Sequence, residues 1–241
     1  MDKRAYDGIC YGCIYGKKTI RRIKKYTDEN SVCLDLGTGA GEKLIAKYPK
    51  VKLVVGTDFS DAMVNGARLN LEKSERNDVR FAKMDNLKMT IPDELLDLIS
   101  ARHTVTDAKQ LYKALKKNGI VVIQGVDKAD CLEMKEMFGR GQAYKDKIAI
   151  SQLDYEQLAN AGFEILERKE VLENEYFETK EDLLALLVKV PILDDFSEIA
   201  ENDYEKKPIE MEILDEYIKR NTTEKGILLK RVLYGIVAVK R

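Results

Sequence analysis

The stretch Val32-Cys33-Leu34-Asp35-Leu36-Gly37-Thr38-Gly39-Ala40-Gly41-Glu42 holds the residues whose types and spacing most directly imply chemistry. An apolar run ends at Asp35-Leu36, three alternating glycines come next, and a helical pattern begins. Lacking a Cβ, Gly37, Gly39 and Gly41 let a backbone approach a ligand closely, and a helix opening there offers free N–H groups to an anionic group. The dinucleotide fingerprint G-x-G-x-x-G brings its third glycine one residue later, and a Walker-type phosphate loop needs Lys-Ser/Thr where Gly41 is followed by Glu42. This loop matches neither. A second acid, Asp58, closes the run Val54-Val55-Gly56-Thr57-Asp58, 23 residues beyond Asp35 (58 − 35 = 23). In a βαβ nucleotide fold that is the place of the carboxylate that binds ribose hydroxyls. Phe59 and Met63 come after it and offer surfaces to an adenine face, although Met63 equally fits the core stripe of the next helix.

The spacing D-x-G-x-G-x-G resembles motif I of class I S-adenosylmethionine-dependent methyltransferases. That resemblance implies S-adenosyl-L-methionine as cofactor, held by Asp35, Gly37, Thr38, Gly39, Gly41 and Asp58. Met84-Asp85-Asn86 is similar to the family's adenine-contacting acidic position, where Asp85 would accept from the exocyclic amine with Asn86 beside it; a plain turn aspartate is the other reading. The resemblance covers residues 31–126 with specific motifs and extends more loosely beyond. The blocks Ser100-Ala101-Arg102-His103, Phe138-Gly139-Arg140-Gly141-Gln142 and Glu175-Tyr176-Phe177 resemble a bacterial group described only as methyltransferase-domain proteins, which implies fold and no acceptor. The Asn/Asp-Pro-Pro-Tyr/Phe motif of enzymes that methylate the amino groups of adenine and glutamine is missing, which disfavours those substrates.

Methyl transfer from a sulfonium is an in-line displacement, so the protein mainly aligns an acceptor atom and excludes water. If the acceptor is a hydroxyl or protonated amine, a base of near-neutral pKa helps, and His103 is the only histidine. It lies just after the fourth strand, near the switch point where open α/β sheets bind ligands. Arg102 suits an acceptor carboxylate or a neighbouring acid. Arg140 and Gln142, in a glycine-flanked loop, are candidate acceptor contacts, and Tyr176 a candidate pocket lining. Tyr6, Tyr11 and Tyr15, interleaved with Gly8, Gly12 and Gly16, suggest a lid over the cofactor. Cys10 and Cys13 have a C-x-x-C spacing but lack two further ligands, so no metal is expected.

These residues need a frame. Short apolar runs at 31–36, 52–56, 79–84, 97–101 and 120–126 alternate with helical patterns, the signature of βα units that build a parallel sheet. Ser60 is a helix cap, a helix from Ala108 stops at Asn118-Gly119, and helices near 129–138 and 152–161 precede a strand near 163–171. Residues 178–220 read as a helical, acidic cap broken by Pro191 and Pro208, without a core of its own, and 229–239 as a final strand. The expected fold is α/β, a doubly wound, mostly parallel seven-stranded Rossmann-like sheet. Its parts are an N-terminal lid or helix at 1–30, a cofactor-binding core at 31–177, a cap insertion at 178–220 and a last core strand at 221–241.

With 41 basic against 42 acidic residues the formal net charge is −1, so the basic excess that drives sequence-independent nucleic-acid binding is absent. No run is long and apolar enough for a membrane span, and the start at Met1 reads as lacking a secretory signal, which makes the cytoplasm the expected address. Together these features predict a methyltransferase for a small-molecule acceptor, acting as a monomer or homodimer, with no membrane partner and with nucleic acid disfavoured. An RNA or protein methyltransferase, and a non-catalytic S-adenosylmethionine-binding subunit, are the alternatives.

Overall fold

A computed structural model of the protein describes residues 13–194 and 207–241. Eight strands, β1 (Val32–Leu36), β2 (Leu53–Asp58), β3 (Val79–Lys83), β4 (Leu96–Arg102), β5 (Leu115–Val126), β6 (Phe163–Phe177), β7 (Thr222–Thr223) and β8 (Gly226–Lys240), form one sheet. Their order is β3-β2-β1-β4-β5-β8-β6, with the two-residue β7 beside β8. The helices are α1 (Cys13–Lys25), α2 (Glu42–Lys47), α3 (Asp61–Glu72), α4 (Ala108–Ala114), α5 (Leu132–Phe138), α6 (Ile150–Asn160), α7 (Lys180–Lys189) and α8 (Met211–Asn221). This is the expected doubly wound α/β sheet with one short extra strand. Parallel ladders join β1 to β2 and β4, β2 to β3, and β4 to β5. The Val-, Ile- and Leu-rich sequences of β1, β2, β4 and β5 suit strands covered on both faces, whereas the edge strand β3 exposes Arg80 and Lys83.

Contacts divide the chain into two compact units. The first comprises Ile14–Gly125, Gln152–Lys169 and Gly235–Arg241. Its core gathers Cys33, Leu44, Val54, Val64, Leu98 and Val122 from sheet and helices, with Ile23 of α1. Ser60 caps α3 as expected, its hydroxyl accepting from the Met63 N–H at 3.4 Å, and Asp107 caps α4 by accepting from Lys109 and Gln110. Helix α4 ends at Ala114 and not at the expected Asn118-Gly119. The sheet overrides the helical pattern: the Glu94 and Leu95 N–H groups donate to the carbonyls of Lys113 and Ala114, and Leu115 takes up register with Leu96. Asn118, at φ +64°, then carries the strand's bend in the left-handed region that Asn tolerates.

The described part of the second unit comprises Val126–Ser151, Glu170–Asp194 and Lys207–Tyr234. The expected cap at 178–220 proves to be part of a larger body with its own core. Met134 and Phe138 of α5, Leu183 and Leu187 of α7, Leu214 and Tyr217 of α8, and Ile227 and Leu229 of β8 pack together. The partners of α7 and α8 on α5 and β8 lie outside 178–220, and only folding brings them in. Arg231, fully buried, holds both oxygens of Asp130 at 2.7 Å and reaches Glu175 at 3.2 Å.

Helix α1 is tied to β6 by Arg22, whose Nε donates to Glu167 Oε2 at 2.7 Å and whose second nitrogen bonds Oε1. This pair holds the Glu167 carboxyl down at about 2, from an ordinary 4.5. A depressed carboxyl contributes stability fully above its unfolded-state pKa and loses it as protonation of the folded state sets in. The urea midpoint of the wild type should therefore fall as pH drops from about 4.5 towards 2. That part of the decline should be missing in Glu167→Gln, and identical pH profiles for the two proteins would contradict the assignment.

Candidate active site

Register places the site. Leu36 is paired with Thr57 on one side and Ala101 on the other, so β1, β2 and β4 reach their carboxyl ends at one level. The chain must turn at Gly37, and the Thr38 N–H donates to the Thr57 carbonyl at 2.9 Å, which fastens the loop to β2. Gly37, Gly39 and Gly41 have φ of +65°, +61° and +77°, where an L side chain is strained. Their surroundings differ. A Cβ on Gly37 would lie 2.7 Å from Thr104, and one on Gly41 2.5 Å from the Phe81 ring, whereas Gly39 has nothing within 4 Å. Gly41 thus serves packing, and Gly39 faces open space. Helix α2 has only six residues, so the dipole expected at its start is short.

The acids predicted from the sequence share an unusual feature. Asp35 is 2% exposed, its Oδ1 accepts from the Ser100 hydroxyl at 2.6 Å, and its Oδ2 has no hydrogen-bond partner among the described residues. Asp58 accepts backbone N–H bonds only, from Gly39 at 3.0 Å and Ser60 at 3.0 Å. Asp85 accepts from the Leu87 N–H at 2.9 Å, so the turn geometry is realised, and its half-buried carboxylate keeps further acceptor capacity. Asn86 is buried and donates to the Thr104 hydroxyl at 2.8 Å, while its Oδ1 is unpartnered among the described residues. The Thr38 and Thr57 hydroxyls are buried and equally unpartnered there. An unmade hydrogen bond on a buried polar atom costs about 1–3 kcal/mol. Four of the eight such atoms among the described residues, on Asp35, Thr38, Thr57 and Asn86, belong to the carboxyl ends of β1 to β3 and the loops after them, and the other four, on Asp127, Arg140, Asp146 and Glu173, belong to the second unit. Thr57 and Thr104 escaped the sequence reading. Thr57 stood in the quoted run before Asp58, but nothing in sequence marked Thr104 as the residue lying over Gly37.

Phe59 and Met63 are 70% and 47% exposed, so Met63 leaves the core stripe to Val64 and Ala67. Arg102 ends β4 half-buried; burial, together with the Arg102 charge, lowers the ammonium pKa of Lys43 on α2. His103 is exposed and stands at φ +52°, its N–H donating to the Gln124 carbonyl at 2.9 Å. Its Nε2 lies 3.4 Å from the amide nitrogen of Gln124, whose oxygen accepts from the Thr19 hydroxyl at 2.7 Å. A left-handed backbone at a bulky residue costs about 1–2 kcal/mol and fixes where the imidazole can point.

The remaining candidates belong to the second unit. Arg140 is buried, and its guanidinium is committed to the Leu193 and Pro208 carbonyls and to Glu210 at 2.6, 2.5 and 2.7 Å. It is a staple between chain segments, which corrects its reading as an acceptor contact: the charge is already spent inside the fold. Gln142 is held through its backbone, donating to Ile192 and accepting from Lys135. Tyr176 is partly exposed on β6, with the Lys225 ammonium 5.8 Å from its ring centroid. Tyr6, Tyr11, Gly8, Gly12, Cys10 and the lid read there lie outside the described residues.

A family profile described as "Methyltransferase domain" matches residues 27–189, more than half of the chain. The chain belongs to the methyltransferase domain family. This methyltransferase-domain protein is 25% identical over 130 residues to the demethylmenaquinone methyltransferase of Bacteroides fragilis, covering 51% of this chain and 53% of that one. It is 28% identical over 121 residues to the ribosomal protein L11 methyltransferase of Listeria innocua, covering 47% and 38%. The alignment thus spans about half the length of the first relative and less of the second. Among solved structures, the YcgJ protein of Bacillus subtilis matches with a TM-score of 0.61 at 15% identity, over 93% of this chain and 99% of that one. Phosphoethanolamine N-methyltransferase 2 of Haemonchus contortus, bound to phosphomonomethylethanolamine and S-adenosylhomocysteine, matches with a TM-score of 0.55 at 19% identity, over 93% and 52%. These structures support the fold. The methyl donor of the family is S-adenosylmethionine, and the residues present fit it: acceptors for an ammonium and for ribose hydroxyls, and a backbone bared at Gly39.

The glycines make separable predictions. Gly41→Ala should cost about 3 kcal/mol, from backbone strain plus overpacking against Phe81, and Gly39→Ala only about 1 kcal/mol from strain. Urea unfolding of both variants measures this, and equal losses would contradict the distinction.

Proposed function

We propose that this chain transfers a methyl group from S-adenosylmethionine to a small-molecule oxygen or nitrogen acceptor. The observation that carries the reading is the set of unpartnered buried polar atoms gathered round the open Gly39 loop in a methyltransferase-domain fold. The cofactor supplies an electrophilic methyl group. The chain's own part is to bind and orient: Asp58 accepts from ribose hydroxyls on the acceptor sites its two N–H bonds leave over, Asp85 and Asn86 meet the adenine edge, and Phe59 and Met63 offer it an apolar face. Asp35 takes the ammonium of the cofactor's amino-acid end.

On the acceptor side, Arg102 and His103 stand at the carboxyl end of β4. Arg102 suits a carboxylate or phosphate. In this reading His103, whose Nε2 lies 3.4 Å from the Gln124 amide nitrogen, takes a proton from a hydroxyl or ammonium acceptor. The relatives' printed names include a small-molecule and a ribosomal-protein enzyme. A net charge of −1 favours the small acceptor over RNA, and protein methylation is the alternative. Among the described residues, no helix is long and apolar enough to cross a membrane.

Calorimetric titration with S-adenosylhomocysteine, with NAD as control, tests the cofactor. Saturable binding of the first alone is expected, and Asp58→Ala should weaken it by about 2 kcal/mol through loss of charge-assisted ribose bonds. Binding of NAD alone would overturn the reading, and unchanged affinity in Asp58→Ala would remove Asp58 from the ribose site.

A further inference from the structure

The buried carboxylates that face arginines are partnered on both oxygens, whereas Asp127 Oδ2, Asp146 Oδ2 and Glu173 Oε1 of the second unit are, like Asp35 Oδ2, without a partner among the described residues. Asp130 accepts from Arg231 Nε and the Val232 N–H on Oδ1 and from the second Arg231 nitrogen on Oδ2. Asp78 does the same with Arg76 and the Val51 N–H. A carboxylate removed from water is costly, and the arginines offset that cost for Asp130 and Asp78.

Asp35 has no arginine among the described residues, and unlike the three acids of the second unit it stands at the carboxyl end of β1, just before the glycine loop. It lies directly across the parallel β1–β4 ladder from Ser100, which is fully buried. The one hydroxyl proton of Ser100 is directed at Asp35 Oδ1 at 2.6 Å, shorter than the 3.5 Å to Leu34 O or to the Tyr48 hydroxyl. Behind it, burial pushes the Tyr48 phenol well above its ordinary pKa and the Cys33 thiol up to about 12. Both stay protonated, so the groups behind Ser100 are neutral, and no basic side chain pairs with Asp35 among the described residues. The carboxylate is held by one oxygen and left with the other unmatched.

We propose that Ser100 is a positioning residue, which fixes the Asp35 carboxylate through Oδ1 so that Oδ2 is presented to the ammonium of the cofactor's amino-acid end. This rests on the reading of Asp35 as the cofactor's ammonium acceptor. Without the Ser100 hydroxyl the carboxylate can rotate about χ2 and turn Oδ2 towards the vacated side, and its preorganisation for a cation is lost.

The test compares two ligands. S-adenosylhomocysteine carries the ammonium, and 5′-methylthioadenosine keeps the adenosine and thioether but lacks the amino-acid end. In Ser100→Ala the Kd for S-adenosylhomocysteine should rise about tenfold while that for 5′-methylthioadenosine stays within about twofold. Asp35→Asn should do the same, and adding Ser100→Ala to it should change the ratio of the two constants no further. Tyr48→Phe, which removes only the outer hydroxyl, should shift the ratio in the same direction by less and guards against a fold that does not tolerate change at position 100. Equal weakening of both ligands, no change in either, or full additivity in the double variant would overturn the proposal. If the wild type binds neither ligand the cofactor reading falls and the proposal with it, whereas normal wild-type binding with an unmoved ratio overturns the positioning role alone.

Discussion

Strand β1 is hydrogen-bonded to parallel neighbours on both sides, and that constraint fixes where its loop leaves the sheet. Because Leu36 is level with Thr57 and Ala101, three strands end together and the chain must leave the sheet at the same height each time. Parallel strands that end at one level leave a crevice where their loops diverge, the place where open α/β sheets bind ligands. The Gly37–Gly41 loop, Asp58, Asp85 and His103 all stand at strand ends or in the loops just beyond them. Thr38 pins the loop to β2, and Thr104 fills the space that a side chain at position 37 would need. Positive φ at 37, 39 and 41 is the backbone's answer to a turn that regular strand geometry cannot make.

Charge is distributed by purpose. Asp78, Asp130 and Glu167 lie against arginines that neutralise them, and they tie β3, β8 and α1 into their respective units. Asp35, Asp58 and Asp85 are met by a hydroxyl or by backbone N–H groups, with no basic side chain paired to them among the described residues. A neutral donor orients a carboxylate without cancelling its field, which is what the proposed cofactor site asks of these three. Arg140 shows the opposite fate: a guanidinium that looked available in sequence is consumed by two carbonyls and Glu210.

Particular residues show how far the sequence could be read. Alternating glycines after Asp35 and the acid at 58 were legible because motif spacing on a strand–loop–helix is a local property. The Ser60 cap was legible for the same reason, since its bond spans three residues. That Gly41 also needs a bare Cα for packing was not legible, because that need comes from Phe81, two strands further along the chain. Helix α4 was overextended because the force ending it is a ladder with Leu96. The segment 178–220 was read as lacking a core because Met134, Ile227 and Leu229 lie outside it in the chain.

By itself the sequence determined the alternation of strands and helices, the glycine loop with its acids, and membership of a cofactor-binding fold, since each depends on neighbours within a turn or a strand's length. Only the tertiary structure decided which polar atoms are already satisfied. Hydrogen-bond capacity is shared among residues such as Asp35 and Ser100, or Arg140 and Glu210, that lie 65 and 70 positions apart. Whether a charged group is a staple or an open site is a property of that three-dimensional pairing, which spacing along the chain does not encode.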